Sequence, residues 1–271
     1  MVQIQTIFPA CFLLLLSTIS WAQSAKRDLI LPGETFEIEG RPAFVFTPKA
    51  LKEQDSKPWV LYCITVPGYP DVHEKWLHEQ LLSAGVAVAG VDVGESFGSL
   101  AGAKLMDSLY AILVEKRNFS KKPAVLGRSR GGLQAMSWIA MGPQRAAGLA
   151  GIYPNYDLRA YPGIDKAAEA YGLSATELAM QEPNLNPIHK ASVLAAAKLP
   201  VFMLHGDSDT VVPIKPNSRR LKDVYQQAGA DELAELVVIQ GGKHDFDERW
   251  FRNQAMVDFL IRVSKQSAQS N

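Results

Sequence analysis

The chain has few cysteines and no excess charge of either sign, and both shortages exclude classes of protein. It has 271 residues with two cysteines, and its 28 basic and 28 acidic residues give a formal net charge of +0. Cys11 lies in an apolar N-terminal run, so the rest of the chain contains only Cys63. One cysteine cannot form an internal disulfide. The charge balance gives no electrostatic reason to expect nucleic acid or an anionic membrane as a partner.

Metal-binding patterns, internal repeats and low-complexity segments are also missing from the sequence. No cluster of cysteine and histidine has zinc-site spacing, and we expect neither a metal nor a cofactor. The glycine-containing stretch Asp92–Gly98 lacks the lysine of a phosphate-binding P-loop, and we interpret it as packing beside the site. Hydrophobic residues make up 47% of the chain, which is ordinary for one globular domain of this length.

The first residues have the pattern of an export signal. The run from Ile7 to Ile19 is almost wholly apolar, and Ser20-Trp21-Ala22 then supplies the small residues of a cleavage site. We expect a signal peptide over residues 1–22 and a mature domain over residues 23–271. The run is too short for a membrane-spanning helix, so we expect no stable span after signal removal. These features predict a periplasmic or secreted protein.

Runs with strand and helix patterns alternate along the remaining chain. Residues 28–47 predict two antiparallel edge strands joined by a turn at Glu39-Gly40. The alternation that follows predicts a mostly parallel sheet with helices on both faces. The later segments are strands at 59–66, 86–91, 123–126, 148–153, 201–204 and 236–239, with helices at 74–83 and 103–116.

The most informative motif is Gly127-Arg128-Ser129-Arg130-Gly131-Gly132, which lies between an apolar run and a helix-like run. Strand, Gly-x-Ser-x-Gly and helix in this order are typical of a nucleophile elbow, a sharp turn that exposes a serine hydroxyl. The helix N-terminus also favours a developing negative charge. The alternative is a plain turn in which Ser129 caps the helix.

Two later strand ends supply an acid and a base. The strand at 201–204 is followed by a loop with Asp209, and the strand at 236–239 by a loop with His244. Serine, acid and histidine in this chain order, each just past a strand, predict Ser129 as nucleophile, Asp209 as orienting acid and His244 as base.

Five other polar residues are candidates for these roles, and we interpret all of them as structural. Asp207 is the alternative acid, and we interpret it as a residue that caps its loop. His205 lies in a tight turn before the acid, and His189 is a surface or packing residue. His73 and His78 precede the nucleophile, out of the expected order.

With these motifs the chain resembles the α/β-hydrolase superfamily, from about Pro58 to its C-terminus. The elbow is similar to that of prolyl-oligopeptidase-like and related esterase families. The acid loop is similar in its pattern of His205, Gly206, Asp209, Val212 and Pro213. The resemblance implies an α/β-hydrolase fold, serine-type hydrolysis, and a small cap insertion over residues 154–199. The alternative for that segment is a pair of core-packed helices, such as Ser174 to Met180.

The oxyanion hole of such a site needs two N–H donors. The residue after the nucleophile, Arg130, is expected to supply one. The loop after the strand at 59–66 is expected to supply the other, and we assign it to the Tyr69 N–H. Family members commonly have a histidine where this chain has Pro67, and Pro70 has no N–H to donate.

Arg128 and Tyr156 are candidate substrate contacts. The arginines on both sides of Ser129 could hold an anionic group of the substrate. The alternative is that they form buried salt bridges, to Glu95 or Asp157. Tyr156, in the proposed cap, is one of several tyrosines that could line an apolar or sugar-stacking pocket.

The expected function is hydrolysis of carboxylic esters, with a small-molecule, carbohydrate or plant-derived ester as substrate. A small peptidase of the prolyl-oligopeptidase kind is the first alternative. The chain lacks the long N-terminal propeller usual in those peptidases, and it shows no obvious acidic pair for a peptide N-terminus. A non-catalytic binding protein of the same fold is the second alternative, disfavoured because the triad is complete.

Overall fold

The computed structural model describes residues 29–49, 56–66 and 68–269. The expected signal peptide, its cleavage site and the start of the mature domain lie outside the described residues, as does Pro67. Within the described ranges, no helix is long and apolar enough to cross a membrane.

An eight-stranded sheet forms the centre of the molecule, in the order β1-β2-β4-β3-β5-β6-β7-β8. Strand β1 pairs antiparallel with β2, and β2 pairs antiparallel with β4, while every other pair is parallel. The strands are β1 Glu34–Ile38, β2 Arg41–Phe46, β3 Trp59–Cys63, β4 Ala87–Val91, β5 Ala124–Arg128, β6 Gly148–Ile152, β7 Val201–Gly206 and β8 Ala234–Ile239.

Nine α-helices lie among the described residues, together with several short 3₁₀ turns. They are α1 Lys75–Ser83, α2 Leu100–Arg117, α3 Gly131–Ala140, α4 Ile164–Ala167, α5 Ala175–Leu185, α6 Ala191–Ala196, α7 Arg220–Gln227, α8 Glu248–Phe251 and α9 Gln254–Gln269.

Helices cover both faces of the sheet because side chains alternate along each buried strand. In β3, Leu61 packs with Met106 of α2 on one face, in a core that also contains α3, α6 and α7. The next residue, Tyr62, faces the opposite core with Leu77 of α1 and Leu260 of α9. The predicted α/β-hydrolase architecture, a mostly parallel sheet with helices on both faces, is confirmed.

Local backbone conformation explains two boundaries. The predicted turn at Glu39-Gly40 joins β1 to β2, and both residues have positive φ, 50° and 75°. Helix α2 is longer than the predicted 103–116. It ends where Asn118 takes a left-handed conformation at φ 58°, a common way to terminate a helix.

The segment between β6 and β7 contains α4, α5 and α6. Helix α5 begins with a capping box in which Ser174 and Glu177 satisfy each other's backbone N–H groups. Leu178 of α5 and Leu158 pack on Leu133 of α3, which agrees with the alternative of core-packed helices. The cap over residues 154–199 stays a prediction, and the segment reaches the cavity at Ser129 through Tyr161.

Candidate active site

Ser129 occupies a strained turn between β5 and α3. Its φ is +52°, and its N–H donates to the Ile152 carbonyl at 2.9 Å. The turn requires glycine on both sides. A Cβ at Gly127 would lie 2.7 Å from the Gly131 carbonyl oxygen, and one at Gly131 would lie 3.0 Å from that of Cys63. The two glycines therefore permit the elbow that exposes the hydroxyl.

The structure brings the predicted nucleophile, base and acid together. Ser129 Oγ lies 2.8 Å from His244 Nε2, and His244 Nδ1 lies 2.8 Å from Asp209 Oδ2. With its proton on Nδ1, the imidazole donates to Asp209 and its Nε2 accepts from the Ser129 hydroxyl. This is the hydrogen-bonded order that activates a serine.

Asp209 is buried in a loop that stabilises its charged form. Its Oδ1 accepts from the Val211 and Val212 N–H groups at 3.0 and 2.8 Å. Burial alone would raise the Asp209 pKa, but hydrogen bonding from His205 and His244 and from the backbone holds it well below its usual range. The acid is therefore ionised and can orient the imidazole.

The rival candidates have structural roles. The buried His205 ring lies 2.7 Å from Ser218 Oγ and 2.8 Å from the Val212 carbonyl oxygen, so it braces the acid loop. Asp207 accepts from the Gly241 N–H at 2.8 Å, which joins the acid loop to the loop that carries the base. His78 is fully buried, and burial lowers its pKa to about 3.

A cavity of about 230 Å³, named here the Ser129 cavity, opens at the nucleophile and the base. A larger cavity of about 720 Å³ lies between α2, α3 and the segment that follows β6, but no triad residue lines it. We therefore place the site at the smaller cavity. Besides Ser129 and His244, its walls include Thr65, Tyr69, Arg128, Tyr161, Val211 and Phe246.

Arg128, next to the nucleophile, is 2% exposed, and acidic and aromatic groups surround its guanidinium. Its Nη1 donates to Glu74 at 2.9 Å and to Asp71 at 3.2 Å, and its Nε donates to the Tyr153 hydroxyl at 2.8 Å. Burial alone would lower the Arg128 pKa, but the Glu74 carboxylate raises it above its ordinary value. The Tyr69 ring packs 4.2 Å from the guanidinium carbon.

These contacts support the interpretation of Arg128 as a buried ion-pair residue rather than as a substrate contact. Of the salt bridges expected for the two arginines, the one to Glu95 forms with Arg130, at 3.0 Å. For Arg128 the expected partners are wrong, since it pairs with Asp71 and Glu74, and Asp157 lies 3.4 Å from Arg220. Arg128 reaches the cavity wall, but its guanidinium nitrogens already donate to three protein groups.

Tyr156 was expected to contact substrate, and the structure corrects this. Its side chain is fully buried in the core and does not line the Ser129 cavity. The Tyr156 N–H donates to Asn217 Oδ1 at 2.7 Å. Gly132 and Gly151 leave room for this side chain, since a Cβ would lie 3.0 Å from the ring at Gly132 and 2.9 Å from the hydroxyl at Gly151.

The prediction for the second oxyanion donor also needs correction. The Tyr69 N–H donates to the Val66 carbonyl at 2.9 Å, so a tight turn already uses this donor. Tyr69 still lines the Ser129 cavity. The Arg130 N–H lies at the start of α3, where N–H groups have no partner within the helix.

Tyr153 belongs to the site, and reasoning from the sequence did not assign it there. It directly follows β6, its φ is +35°, and its ring centroid lies 4.3 Å from that of His244. Its position at the carboxyl end of a parallel strand, beside the strand that carries Ser129, is the signal that could have found it. Within the described residues, no group of three acidic, histidine or cysteine side chains could hold a metal.

An elbow serine joined to a histidine and a carboxylate on this sheet defines a serine hydrolase of the α/β-hydrolase fold. The family model described as "Prolyl oligopeptidase family" matches residues 109–267, and the chain belongs to that family. One curated relative, the non-reducing polyketide synthase ausA of Aspergillus calidoustus, is 29% identical over 121 residues. That match covers 41% of this chain and 5% of the synthase.

Solved structures share the fold at low sequence identity. A putative dipeptidyl aminopeptidase IV from Bacteroides ovatus is 15% identical with a TM-score of 0.65, over 87% of this chain and 35% of its own. Dipeptidyl peptidase 4 from Porphyromonas gingivalis is 15% identical with a TM-score of 0.68, and the match covers 85% of this chain and 35% of the peptidase. Est1E from Butyrivibrio proteoclasticus is 19% identical with a TM-score of 0.62, and the match covers 85% of this chain and 98% of Est1E. The chain thus spans about a third of these two peptidases.

Proposed function

We propose that this serine hydrolase cleaves carboxylic esters through an acyl-enzyme. The carrying observation is the continuous hydrogen-bonded series Ser129–His244–Asp209, of which Ser129 and His244 line a small cavity. Ser129 is the nucleophile, His244 the general base and acid, and Asp209 the group that orients the imidazole. The substrate is a small-molecule or carbohydrate ester.

The reaction proceeds in two halves. Ser129 Oγ attacks the ester carbonyl while His244 Nε2 takes the hydroxyl proton, and Asp209 stabilises the resulting imidazolium. The tetrahedral intermediate collapses as the bond between the acyl carbon and the alcohol oxygen breaks. His244 gives its proton to that oxygen, and the alcohol leaves. Water, deprotonated by His244, then attacks the acyl carbon. The bond from that carbon to Ser129 Oγ breaks, His244 returns the proton to Ser129 Oγ, and the acid leaves.

Stabilisation of the oxyanion comes from the start of α3. The Arg130 N–H follows the nucleophile, and the dipole of α3 places partial positive charge at the same point. The Arg130 guanidinium is held to the side by Glu95 at 3.0 Å, so the residue contributes its backbone to this step.

The charges around the cavity support an ester rather than a peptide substrate. A peptide with a free N-terminus needs a carboxylate to bind its ammonium group. Asp71 and Glu74 are held by Arg128. Asp245 lines the cavity, and its Oδ1 accepts from Trp250 Nε1 and from the Asp247 N–H. The similarity to the esterase Est1E, over 98% of that chain, supports the same choice.

A peptidase is the second candidate, because most of the similar solved structures are peptidases. The two candidates separate in a substrate panel of p-nitrophenyl acetate, p-nitrophenyl butyrate and proline p-nitroanilide. The proposal expects turnover of the esters and little of the anilide. Preference for the anilide would contradict it, and absence of turnover on all three would favour a binding protein of this fold.

We also propose that the enzyme is exported to the periplasm or the exterior. The support is the apolar run from Ile7 to Ile19 followed by Ser20-Trp21-Ala22. The mass of the protein recovered from a secreting host tests this, since the proposal expects a chain that begins at Gln23. An intact N-terminus in the cytoplasmic fraction would contradict export and leave the catalytic proposal unaffected.

A further inference from the structure

A second cavity of about 260 Å³ lies beside the Ser129 cavity, and we name it the side cavity. It lies between the turn that precedes α1 and the loop that follows His244. Its lining includes Val72, His73, Trp76, Phe246, Phe251 and Arg252. Phe246 lines both cavities, and Arg128 of the Ser129 cavity packs 4.7 Å from the ring of Phe251 of the side cavity, so the two cavities are neighbours.

Both walls of the side cavity are fixed by the catalytic site. On one wall, Asp71 accepts from the His73 N–H at 2.9 Å and also binds Arg128, the residue before the nucleophile. On the other wall, Asp245 accepts from Trp250 Nε1 at 2.9 Å, which holds the loop that carries Phe246. The cavity is thus pre-formed, which lowers the ordering cost of ligand binding.

The lining combines aromatic faces with charges that cancel. The His73 and Phe246 rings lie 4.5 Å apart at 33°, and Phe246 is 52% exposed. Two opposite-sign pairs line the same cavity, Lys75–Glu79 at 3.8 Å and Arg252–Glu248 at 3.7 Å. These pairs offer hydrogen-bond donors and acceptors, and their charges cancel. Such a lining suits an uncharged polar ligand better than an anion, a cation or a bare hydrocarbon chain.

We propose that the side cavity binds the sugar ring of a carbohydrate ester whose acyl group occupies the Ser129 cavity. The apolar face of a sugar ring packs on an aromatic ring, and its hydroxyls pair with neutral sets of donors and acceptors. The volume lies below that of pockets for drug-sized ligands, which suits one ring rather than an oligosaccharide.

This assignment rests on the proposed ester hydrolysis and specifies its leaving group. When the acyl carbon–oxygen bond breaks, His244 Nε2 gives its proton to the departing sugar oxygen, and the neutral sugar remains in the side cavity. Water then completes the reaction at the acyl carbon. A substitution in the side cavity should therefore change the relative kcat/KM of esters that differ in their leaving group. It should have less effect on the chemistry at the acyl group.

Binding of a sugar without an ester tests the side cavity independently of catalysis. The full chain is titrated with methyl β-D-xylopyranoside while NMR follows the Trp76 indole N–H. A saturable shift is expected, weakened about tenfold or more in Phe246→Ala and His73→Ala through loss of aromatic contact. Leu100→Ala, an exposed apolar position that lines neither cavity, should bind as the wild type does. No saturable shift, or equal binding by all variants, would overturn the proposal.

A kinetic comparison separates the proposal of ester hydrolysis from the proposal of sugar binding in the side cavity. The ratio of kcat/KM for monoacetylated methyl xyloside to that for p-nitrophenyl acetate should fall about tenfold in His73→Ala and hold in Leu100→Ala. An unchanged ratio in His73→Ala would overturn the sugar site while esterase activity stands. If the wild type hydrolyses neither ester, the proposed function fails, and the xyloside titration alone decides whether the side cavity binds sugar.

Discussion

The Tyr153 ring packs against the His244 ring, with centroids 4.3 Å apart and planes at 52°. The Tyr153 hydroxyl accepts a hydrogen bond from the buried Arg128 at 2.8 Å. Trp250 supports the same ring edge-on at 5.3 Å. One side chain thus connects the residue before the nucleophile to the face of the base, and we assign Tyr153 as a positioning residue for His244.

Removing the Tyr153 ring should reduce kcat, whereas removing its hydroxyl should mainly reduce stability. Tyr153→Phe keeps the ring but leaves the Arg128 Nε–H unpaired, at a cost of about 1–3 kcal/mol in the free energy of unfolding. Tyr153→Leu removes the ring, and misplacement of the base should lower kcat by about 10²-fold. Urea unfolding and p-nitrophenyl acetate kinetics measure the two effects. An equal kcat loss in both variants would show that the hydroxyl, not the ring, positions His244.

Arg128 should matter for folding rather than for substrate charge. Arg128→Met leaves the buried Glu74 carboxylate bonded to the Tyr62 hydroxyl but without its cationic partner, and should cost about 3–5 kcal/mol of unfolding free energy. Adding Glu74→Leu removes the unpaired charge, so the double variant should recover part of that loss in urea unfolding. Arg128→Lys should lower turnover of acidic and neutral esters equally. A selective loss on acidic esters would mean that Arg128 contacts the substrate.

Two aspartates of the same loop provide a matched test of the acid. Asp209→Asn should lower kcat by about 10⁴-fold, because the amide no longer holds the productive imidazole tautomer. Asp207→Asn should stay within a few-fold of the wild type, because Asp207 binds the Gly241 N–H rather than the base. Steady-state kinetics on p-nitrophenyl acetate compare the two variants, and the reverse order of losses would exchange their roles.

Glu182 should make stability depend on pH at the acid end. Burial alone would raise its pKa, but hydrogen bonds from Asn186, Arg159 and His189 lower it to about 2. The folded pKa is below the unfolded one, so this stabilisation is complete above pH ~4.5 and is lost as pH falls toward 2. Glu182→Gln should be less stable than the wild type near neutral pH by up to about 3 kcal/mol. The difference should shrink in urea titrations at lower pH, and a constant difference would contradict the assignment.

The triad and the sheet could be predicted from the sequence because their signals are local. Each triad residue follows an apolar strand within a short motif, and parallel strands bring their carboxyl ends to one edge. The partners of Arg128 could not be predicted in this way. Glu74 lies 54 residues earlier in the chain and joins Arg128 only through the packing of the turn before α1.

The sequence pattern also could not predict which way the tyrosine side chains after β6 point. Tyr153 faces His244, while Tyr156 turns into the core, where Asn217, 61 residues further along, accepts its N–H. The prediction of the Tyr69 N–H as an oxyanion donor failed for a similar reason, because this N–H donates to the Val66 carbonyl in a tight turn. Loop geometry of this kind depends on distant contacts and on backbone angles that composition does not specify.

The role of Ser129 as the nucleophile is tested by comparing p-nitrophenyl acetate hydrolysis by the wild-type full chain and by Ser129→Ala. Circular dichroism confirms that both proteins are folded before the comparison. We expect turnover by the wild type, with an acyl group found on the Ser129 peptide by mass spectrometry, and no turnover above background in the variant. Equal turnover by both proteins would show that Ser129 is not the nucleophile and that the proposed mechanism is wrong.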